Sequence, residues 1–205
     1  MVRSRKPGER AGLSREGVLA AAGEVLAAGG LEGLTMRAIA HRLGVAPNAL
    51  YSHVANKTTL IDAVLDDVLA QVKPPAADSQ DPAAGLHAMM ISTYRVLLAH
   101  PDLVPLYLAR QGARGSNAQR LGDVMLALLD RAGVGGPAAM DARRVLIVYT
   151  IGFAAFVSRP AGHPWPDQPM TEAQSLANFT TGLGWLLTGI GSGRQTRRPA
   201  RRGLS

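Results

Sequence analysis

Few side chains of this sequence stand in patterns that support covalent or metal-assisted chemistry. Cysteine is absent from its 205 residues, which excludes disulfides, thiol catalysis and cysteine-based zinc sites. It contains no Ser-His-Asp spacing, His-x-x-x-His pair, Gly-rich phosphate loop or close pair of carboxylates with a base. His163 lies alone in a loop of Pro and Trp, and a surface position is its simplest interpretation. We therefore expect a protein that is not an enzyme and that holds no cofactor and no metal.

The stretch 34–57, L-T-M-R-A-I-A-H-R-L-G-V-A-P-N-A-L-Y-S-H-V-A-N-K, carries instead the signals of two helices around a tight turn. Thr35 can cap the first helix, since its hydroxyl can accept a hydrogen bond from a backbone N–H of the first turn. Gly44 can end that helix in the left-handed conformation, and Pro47 suits the first turn of the next helix. This pattern predicts a helix-turn-helix, whose second helix enters the DNA major groove. Leu50 and Val54 are expected to give the second helix its buried side. The apolar residues at helical spacing are Ile39, Ala40, Leu43, Val45, Leu50 and Val54.

Helices are expected on both sides of this motif to hold it in place. Ser14 can cap a first helix that a glycine pair ends at Gly30, and Asn56 can cap a longer helix that runs to about Lys73. The following stretch is rich in Pro and Asp, which predicts a linker as far as Pro82.

Residues 82–190 are again expected to be helical, without strand alternation of useful length. Asp81-Pro82 is expected to open the first of these helices. The last two predicted helices, about 138–158 and 171–190, are apolar nearly all round. Residues 159–169 between them contain four prolines and predict a loop. The predicted fold class is therefore all-α, with a three-helix N-terminal domain that carries the helix-turn-helix and a C-terminal helical bundle.

Charge is concentrated at the two ends of the chain. Of a net charge of +7, residues 1–15 supply five basic side chains and one acid, and residues 191–205 supply five arginines and no acid. Basic termini favour attraction to phosphates, although a solvated flexible tail explains the C-terminal cluster equally well. The longest apolar run, 145–157, is shorter than the roughly 20 residues of a membrane span. Glu24 interrupts the apolar stretch that a signal peptide would need, so a soluble, cytoplasmic protein is expected.

The N-terminal motif resembles the DNA-binding domain of tetracycline-repressor-type regulators of the TetR family. The resemblance rests on G-L-E-G-L-T-M-R-A-I-A-H-R-L-G-V-A-P-N-A-L-Y-S-H-V-A-N-K followed by L-I-D-A-V-L. Looser similarity to the ligand and dimer domain lies in L-L-A-H-P-D-L, L-L-D-R-A-G-V and F-T-T-G-L-G-W-L-L-T-G-I. The implied domains are a basic flexible arm (1–13), a DNA-binding domain with its connecting helix (14–73), a ligand-binding and dimerisation domain (82–190) and a disordered basic tail (191–205).

The resemblance divides the polar residues of the motif between phosphate positioning and base reading. Thr35 would place a helix N-terminus against a phosphate, and Arg37 matches a position that reaches a base edge, where its guanidinium can bind guanine. Pro47, Asn48 and Ala49 match groove-facing positions, and Ser52 stands where tetracycline repressors have a tryptophan. The DNA-binding residues implied in this way are Thr35, Arg37, Pro47, Asn48, Ala49, Tyr51, Ser52, His53 and Lys57.

A ligand would need a cavity in the bundle with a few polar groups. Tyr107 matches a histidine that ligates drug-bound magnesium in tetracycline repressors, so the resemblance implies an effector other than magnesium-tetracycline. Core packing is the simpler interpretation of each aromatic candidate. The candidate ligand-binding residues are Tyr94, Tyr107, Arg110, Tyr149 and Phe153.

One recognition helix reads only a few base pairs, so two copies related by a two-fold axis are expected to read a palindromic operator. The apolar helices 138–158 and 171–190 are expected to form the homodimer interface, although they also suit the core of a monomer. The expected function is a ligand-responsive repressor that a small molecule releases from its operator. A sequence-independent architectural DNA-binding protein, which uses both basic termini, is the alternative.

Overall fold

The computed structural model describes residues 13–76, 78–158 and 170–192. The basic arm up to residue 12, the loop 159–169 with His163 and the basic tail from residue 193 lie outside these residues. The described residues form helices and no β-strand, which confirms the predicted all-α class. The chain divides into two compact units between Val64 and Leu65, within a helix.

The first unit contains the helices that carry the motif. Ser14 caps the first of them as predicted, because its hydroxyl accepts a hydrogen bond from the Gly17 N–H at 3.0 Å. Gly30, with φ of 61°, interrupts this helix as the glycine pair predicts, but one more helical turn follows it. The helices are α1 (Arg15–Gly33), α2 (Met36–Leu43), α3 (Pro47–Leu50) and α4 (Lys57–Leu69), the last of which continues into the second unit.

Apolar side chains from all four helices form the buried core of the first unit. At its edge Arg42 of α2 pairs with Glu24 of α1 at 2.5 Å, but both side chains are exposed, so the pair contributes at most about 1 kcal/mol. Burial of the apolar face therefore contributes more than this ion pair to holding α2 on α1. The core residues include Val18, Ala22, Leu26, Ile39, Ala40, Leu50, Val54 and Leu60, each no more than 3% exposed.

The second unit is a helical bundle in which α5 packs on α7, α8 and α9. Asp81 caps α5 as the Asp-Pro signal predicts, since its carboxylate accepts the Ala84 N–H at 2.9 Å. The two long apolar helices, predicted at about 138–158 and 171–190, begin and end within two residues of these positions. The helices are α5 (Pro82–Ala99), α6 (Val104–Ala109), α7 (Ser116–Arg131), α8 (Gly136–Val157) and α9 (Glu172–Ser192), with a 3₁₀ turn at Pro101–Leu103.

An aromatic cluster joins α5, α8 and α9. The Tyr94 and Phe179 rings stack with their centroids 4.1 Å apart, and Phe153 meets Tyr94 edge-on at 5.8 Å. The Tyr149 hydroxyl donates a hydrogen bond to the Phe179 carbonyl at 2.9 Å. A Cβ at Gly182 would collide with that hydroxyl, so this glycine makes room for Tyr149 within its own bundle.

Asp66 ties the C-terminal end of α4 to the start of α7. Its carboxylate accepts the Ala118 N–H at 2.8 Å and the Asn117 N–H at 3.2 Å. The N-cap position of α7 is Gly115, which has no side chain to cap the helix and whose Cβ would collide with the Asp66 carboxylate. Asp66 is buried, with 7% of its surface exposed. Its carboxylate serves as the helix cap that the local sequence of α7 does not supply.

We predict that Asp66→Ala lowers the free energy of unfolding by about 1–3 kcal/mol, since it leaves buried backbone N–H groups without an acceptor. Urea unfolding followed by circular dichroism measures the change. The matched control is Asp67→Ala, an exposed carboxylate on the same helix, which should change stability by less than about 0.5 kcal/mol. Equal effects of the two substitutions would show that Asp66 does not act as a cap.

Candidate functional site

The turn between α2 and α3 has the geometry of a helix-turn-helix. Gly44 is left-handed, with φ of 65° and ψ of 31°, and its N–H donates to the His41 carbonyl at 3.2 Å. The Val45 N–H donates to the Ala40 carbonyl at 3.0 Å, which completes a Schellman motif at the end of α2. At the other end of α2 the Thr35 hydroxyl accepts the Ala38 N–H at 3.1 Å, as predicted.

The second helix of the motif is shorter than the sequence indicates. It ends at Leu50, and the next residues form turns that bring Val54 back into the core. The Ser52 hydroxyl donates to the Ala49 carbonyl at 2.7 Å, and the His53 N–H donates to the Leu50 carbonyl at 2.9 Å. These local bonds replace the helical pattern, because a serine hydroxyl competes for the carbonyls that would extend the helix.

The residues implied to bind DNA all lie on the surface of the first unit. Tyr51 is 53% exposed, and the Lys57 ammonium donates to the Leu31 carbonyl at 3.3 Å, which holds the end of α1 against α4. Residues 33–61 contain three Arg or Lys, two His and no acid, so this surface attracts phosphates. The exposed members are Thr35, Arg37, Pro47, Asn48, Tyr51, Ser52 and Lys57, and the partly exposed ones are Ala49 and His53.

The bundle contains a cavity of about 460 Å³. This volume falls in the range of roughly 300–1,000 Å³ that is usual for ligand pockets. Most of its wall is apolar. The apolar lining residues include Leu69, Met89, Met90, Leu97, Leu121, Met125, Ile147 and Ile151, and the polar ones are Thr93, Tyr107, Gln111, Arg114, Gln119, Arg143 and Thr150.

Tyr107 connects this cavity to α4. Its ring is 2% exposed and its hydroxyl donates to the Leu65 carbonyl at 2.6 Å. Burial, and then the negative charge of Asp66, raise the pKa of the Tyr107 hydroxyl above its usual value. The hydroxyl therefore keeps its proton and remains a hydrogen-bond donor to α4.

The other four ligand candidates are not among the residues that line the cavity. Tyr94 is fully buried in the aromatic cluster, and Arg110 follows the last residue of α6. Tyr149 and Phe153 border a groove on the surface beside Trp185. Arg114 and Arg143 line the cavity, and sequence reasoning missed both. Their place depends on which faces of α7 and α8 meet, which no local pattern indicates.

The outer faces of α8 and α9 expose large apolar side chains. Val148 of α8 is 63% exposed and Trp185 of α9 is 75% exposed. Val145 and Phe156 add to the exposed apolar surface of α8. Contiguous apolar patches of this kind are typical of protein–protein contact surfaces.

Among the described residues, no group of three or more His, Asp or Glu side chains is placed to hold a metal ion. No helix in this part of the chain combines the length and the apolar character needed to cross a bilayer.

Two family models match the sequence. Bacterial regulatory proteins of the tetR family match residues 18–64, and the tetracyclin repressor-like C-terminal domain matches residues 74–182. An HTH-type transcriptional regulator of Saccharopolyspora erythraea is 33% identical over 140 residues, which are 68% of this chain and 59% of that protein. The matched segments span only 45–64% of the length of the curated relatives.

Solved structures match over most of both chains. Apo ActR from Streptomyces coelicolor has a TM-score of 0.79 at 27% identity, covering 91% of this chain and 98% of ActR. ActR has also been crystallised with (S)-DNPA and with actinorhodin. Mycobacterium smegmatis BioQ has a TM-score of 0.74 at 28% identity, covering 88% of this chain and 99% of BioQ. BioQ with its natural double-stranded DNA operator matches with a TM-score of 0.67.

We predict that the free energy of unfolding falls as the pH rises above about 10, the usual pKa of tyrosine. Tyr107 keeps its proton in the folded state while the unfolded chain loses it, so each pH unit removes up to about 1.4 kcal/mol per such group. Burial also raises the pKa of Tyr94, to about 12. In Tyr107→Phe the free energy of unfolding should therefore fall less steeply with pH, but it should still fall because Tyr94 remains. The measurement is urea unfolding between about pH 9 and pH 12.

The control for this experiment is Tyr51→Phe, which removes an exposed hydroxyl and should keep the wild-type slope. A Tyr107→Phe slope equal to that of the wild type would contradict the prediction.

Proposed function

Because this chain belongs to the TetR family of bacterial regulatory proteins, we propose that it is a ligand-responsive transcriptional repressor. It would bind a palindromic operator as a homodimer and leave it when a small molecule binds the bundle. It would act at the DNA in the cytoplasm, with no catalytic role. Support comes from a DNA operator bound by BioQ and ligands bound by ActR.

The observation that carries this proposal is the polar surface of the helix-turn-helix, whose own residues 33–61 include no acid. Arg37 projects from the exposed side of α2, and Asn48 lies in the first turn of α3, where a recognition helix contacts base edges. We assign base reading to these two residues, together with contact of Ala49 with a thymine methyl. Pro47 is assigned to the groove beside Asn48 and Ala49. The assigned phosphate-side residues are Thr35, Tyr51, Ser52, His53 and Lys57.

We predict that Arg37→Ala lowers the ratio of operator to random-duplex affinity by about 10–100-fold, since a bidentate guanine contact is worth roughly 1–3 kcal/mol. Asn48→Ala should lower the same ratio through loss of an adenine contact. The operator is first selected from a random-sequence duplex pool, and both affinities are measured by fluorescence anisotropy at one salt concentration.

Arg42→Ala is the matched control, because it also removes one positive charge from α2 but its guanidinium pairs with Glu24. It should weaken binding to both duplexes alike and leave the ratio unchanged. An unchanged ratio in Arg37→Ala would reject the assigned reading face. A wild-type protein without sequence preference would favour the architectural alternative.

The cavity supplies a physical route from an effector to α4. Leu69 of α4 lines the cavity, Tyr107 bonds the Leu65 carbonyl, and Asp66 caps α7. An effector that fills this space would bear on the C-terminal end of α4 and shift the separation of the two recognition helices. It must bind the DNA-incompetent state more tightly by a few kcal/mol to release the operator.

Magnesium-tetracycline is a poor candidate for this effector. The Tyr107 hydroxyl is committed as a donor to α4, and its raised pKa opposes the ionised form that a metal would need. The proposed ligand contacts are the residues that line the cavity, with Tyr107 among them.

The apolar outer faces of α8 and α9 are the proposed homodimer interface. Two copies related by a two-fold axis would bury Val148 and Trp185 of both chains in a four-helix contact. Gly152, which is exposed on α8 with open space around its Cβ position, would allow a close approach of the partner backbone.

We predict that Val148→Asp converts the dimer to a monomer of 21.5 kDa, because two carboxylates would be buried at the contact without partners. Sedimentation equilibrium measures the mass, and circular dichroism checks the fold. Arg144→Gln, at an exposed site on the same helix, should remain dimeric. A dimer that persists in Val148→Asp would place the interface elsewhere.

A further inference from the structure

The effector cavity proposed above has a charge pattern that restricts what it can bind. Two of its lining residues, Arg114 and Arg143, are cationic and none is an Asp or Glu. We propose that the effector is an amphipathic anion, with an apolar body and a compact oxyanion such as a carboxylate that binds the Arg143 guanidinium. This inference rests on the proposed effector role of the cavity.

The packing of α7 on α8 directs Arg143 toward the cavity. Gly122 of α7 is buried, and a Cβ at that position would lie 3.2 Å from Arg143 Nη1. The guanidinium thus lies over bare backbone, where any larger residue would crowd it. Both Gly122 and Arg143 line the cavity. The absence of a side chain at Gly122 therefore leaves room for the Arg143 guanidinium at the cavity wall, where a bound ligand would contact it.

Arg143 has no partner for its charge among the described residues. The neighbouring Arg144 pairs with Asp141 at 3.2 Å, whereas no described group forms an ion pair or hydrogen bond with Arg143. Its side chain is only partly exposed. A guanidinium in such a place loses contacts with water and gains no protein partner in exchange. A bound anion would replace the lost contacts with charge-assisted hydrogen bonds.

The hydroxyl groups that line the cavity already donate hydrogen bonds within the protein. The Tyr107 and Thr150 hydroxyls donate to the Leu65 and Leu146 carbonyls. Asp66, whose charge acts on Tyr107, has its carboxylate oxygens occupied by the N–H groups at the start of α7. The Arg114 guanidinium already donates to the Arg110 carbonyl at 2.7 Å. Among the described residues, the charged donor left without a partner beside the cavity is therefore the Arg143 guanidinium, which selects an acceptor with negative charge.

The apolar part of the wall defines the rest of the ligand. Most of the cavity wall is apolar, with Leu, Ile and Met side chains among its lining residues, so an anion without an apolar body would leave this surface in contact with water. Met89, Met90 and Met125 are flexible and polarisable, which suits a broad ring system or a bent chain. An inorganic anion does not fit this description.

Two fluorescent probes with the same ring skeleton test the inference in the full-length protein. 8-Anilinonaphthalene-1-sulfonate carries one negative charge, and N-phenyl-1-naphthylamine is its neutral counterpart. We expect the wild type to bind the sulfonate at least about tenfold more tightly than the amine. Arg143→Gln should weaken sulfonate binding by about tenfold, equivalent to ~1.4 kcal/mol, and leave the Kd of the amine within about twofold.

Two further variants locate the effect. Arg144→Gln removes the adjacent charge on the outer side of α8 and should leave both Kd values unchanged. Ala118→Trp fills the cavity from α7 and should abolish cavity binding of both probes, with the fold checked by circular dichroism. Operator binding without probe should be the same in Arg144→Gln as in the wild type.

The outcomes separate this inference from the function on which it rests. If the amine binds the wild type as tightly as the sulfonate, or if Arg143→Gln weakens both probes equally, the anion inference is wrong and the repressor proposal stands. If Ala118→Trp folds and changes neither Kd, the cavity is not the binding site, and both the effector role and the inference fail.

Discussion

The first turn of α7 exposes backbone N–H groups that its own sequence does not satisfy, because Gly115 stands at its N-cap. Asp66 of α4 supplies the missing acceptor, with hydrogen bonds of 2.8 and 3.2 Å to Ala118 and Asn117. Much of the bundle depends on this contact. It sets where α7 starts, and α7 then forms the wall from which Gly122 and Met125 face the cavity. Because the cap comes from α4, the position of that helix and the shape of the cavity are linked by charge-assisted hydrogen bonds.

The Tyr107 hydroxyl reinforces the same link one residue earlier, at the Leu65 carbonyl. A ligand in the cavity thus lies beside two bonds that end on adjacent residues of α4. Such bonds are directional and are lost over small displacements, whereas apolar contacts allow side chains to slide. The polar contacts therefore suit a switch, and the Met- and Leu-rich wall suits a variable ligand body. This division of labour is consistent with the proposed release of operator DNA.

The reading motif and the bundle differ in how local their determinants are. Thr35, Gly44 and Pro47 act through bonds and backbone angles within a few residues, so the sequence predicts the helix-turn-helix and the structure confirms it. The short length of α3 depends on the Ser52 hydroxyl, which competes with the helical hydrogen bonds at Ala49. Helical periodicity does not indicate this competition, so the sequence predicts an α3 that extends to Val54, whereas α3 ends at Leu50. In the bundle, the ligand candidates Tyr94, Tyr149 and Phe153 pack in one cluster with Phe179. Local sequence does not predict this cluster, because stacking of Tyr94 on Phe179 requires α5 and α9 to meet.

The sequence by itself determined the all-α class, the bounds of α8 and α9 to within two residues, the caps at Ser14, Thr35 and Asp81, and the family resemblance. Each of these depends on interactions between residues close together in the chain, or on a long ordered motif. The tertiary structure alone decided that Asp66 caps α7, that Gly182 makes room for Tyr149, and that Arg143 faces a cavity over Gly122. Those contacts join residues 21 to 52 positions apart. They exist only when helix faces are brought into register, and no helical periodicity specifies which faces will meet.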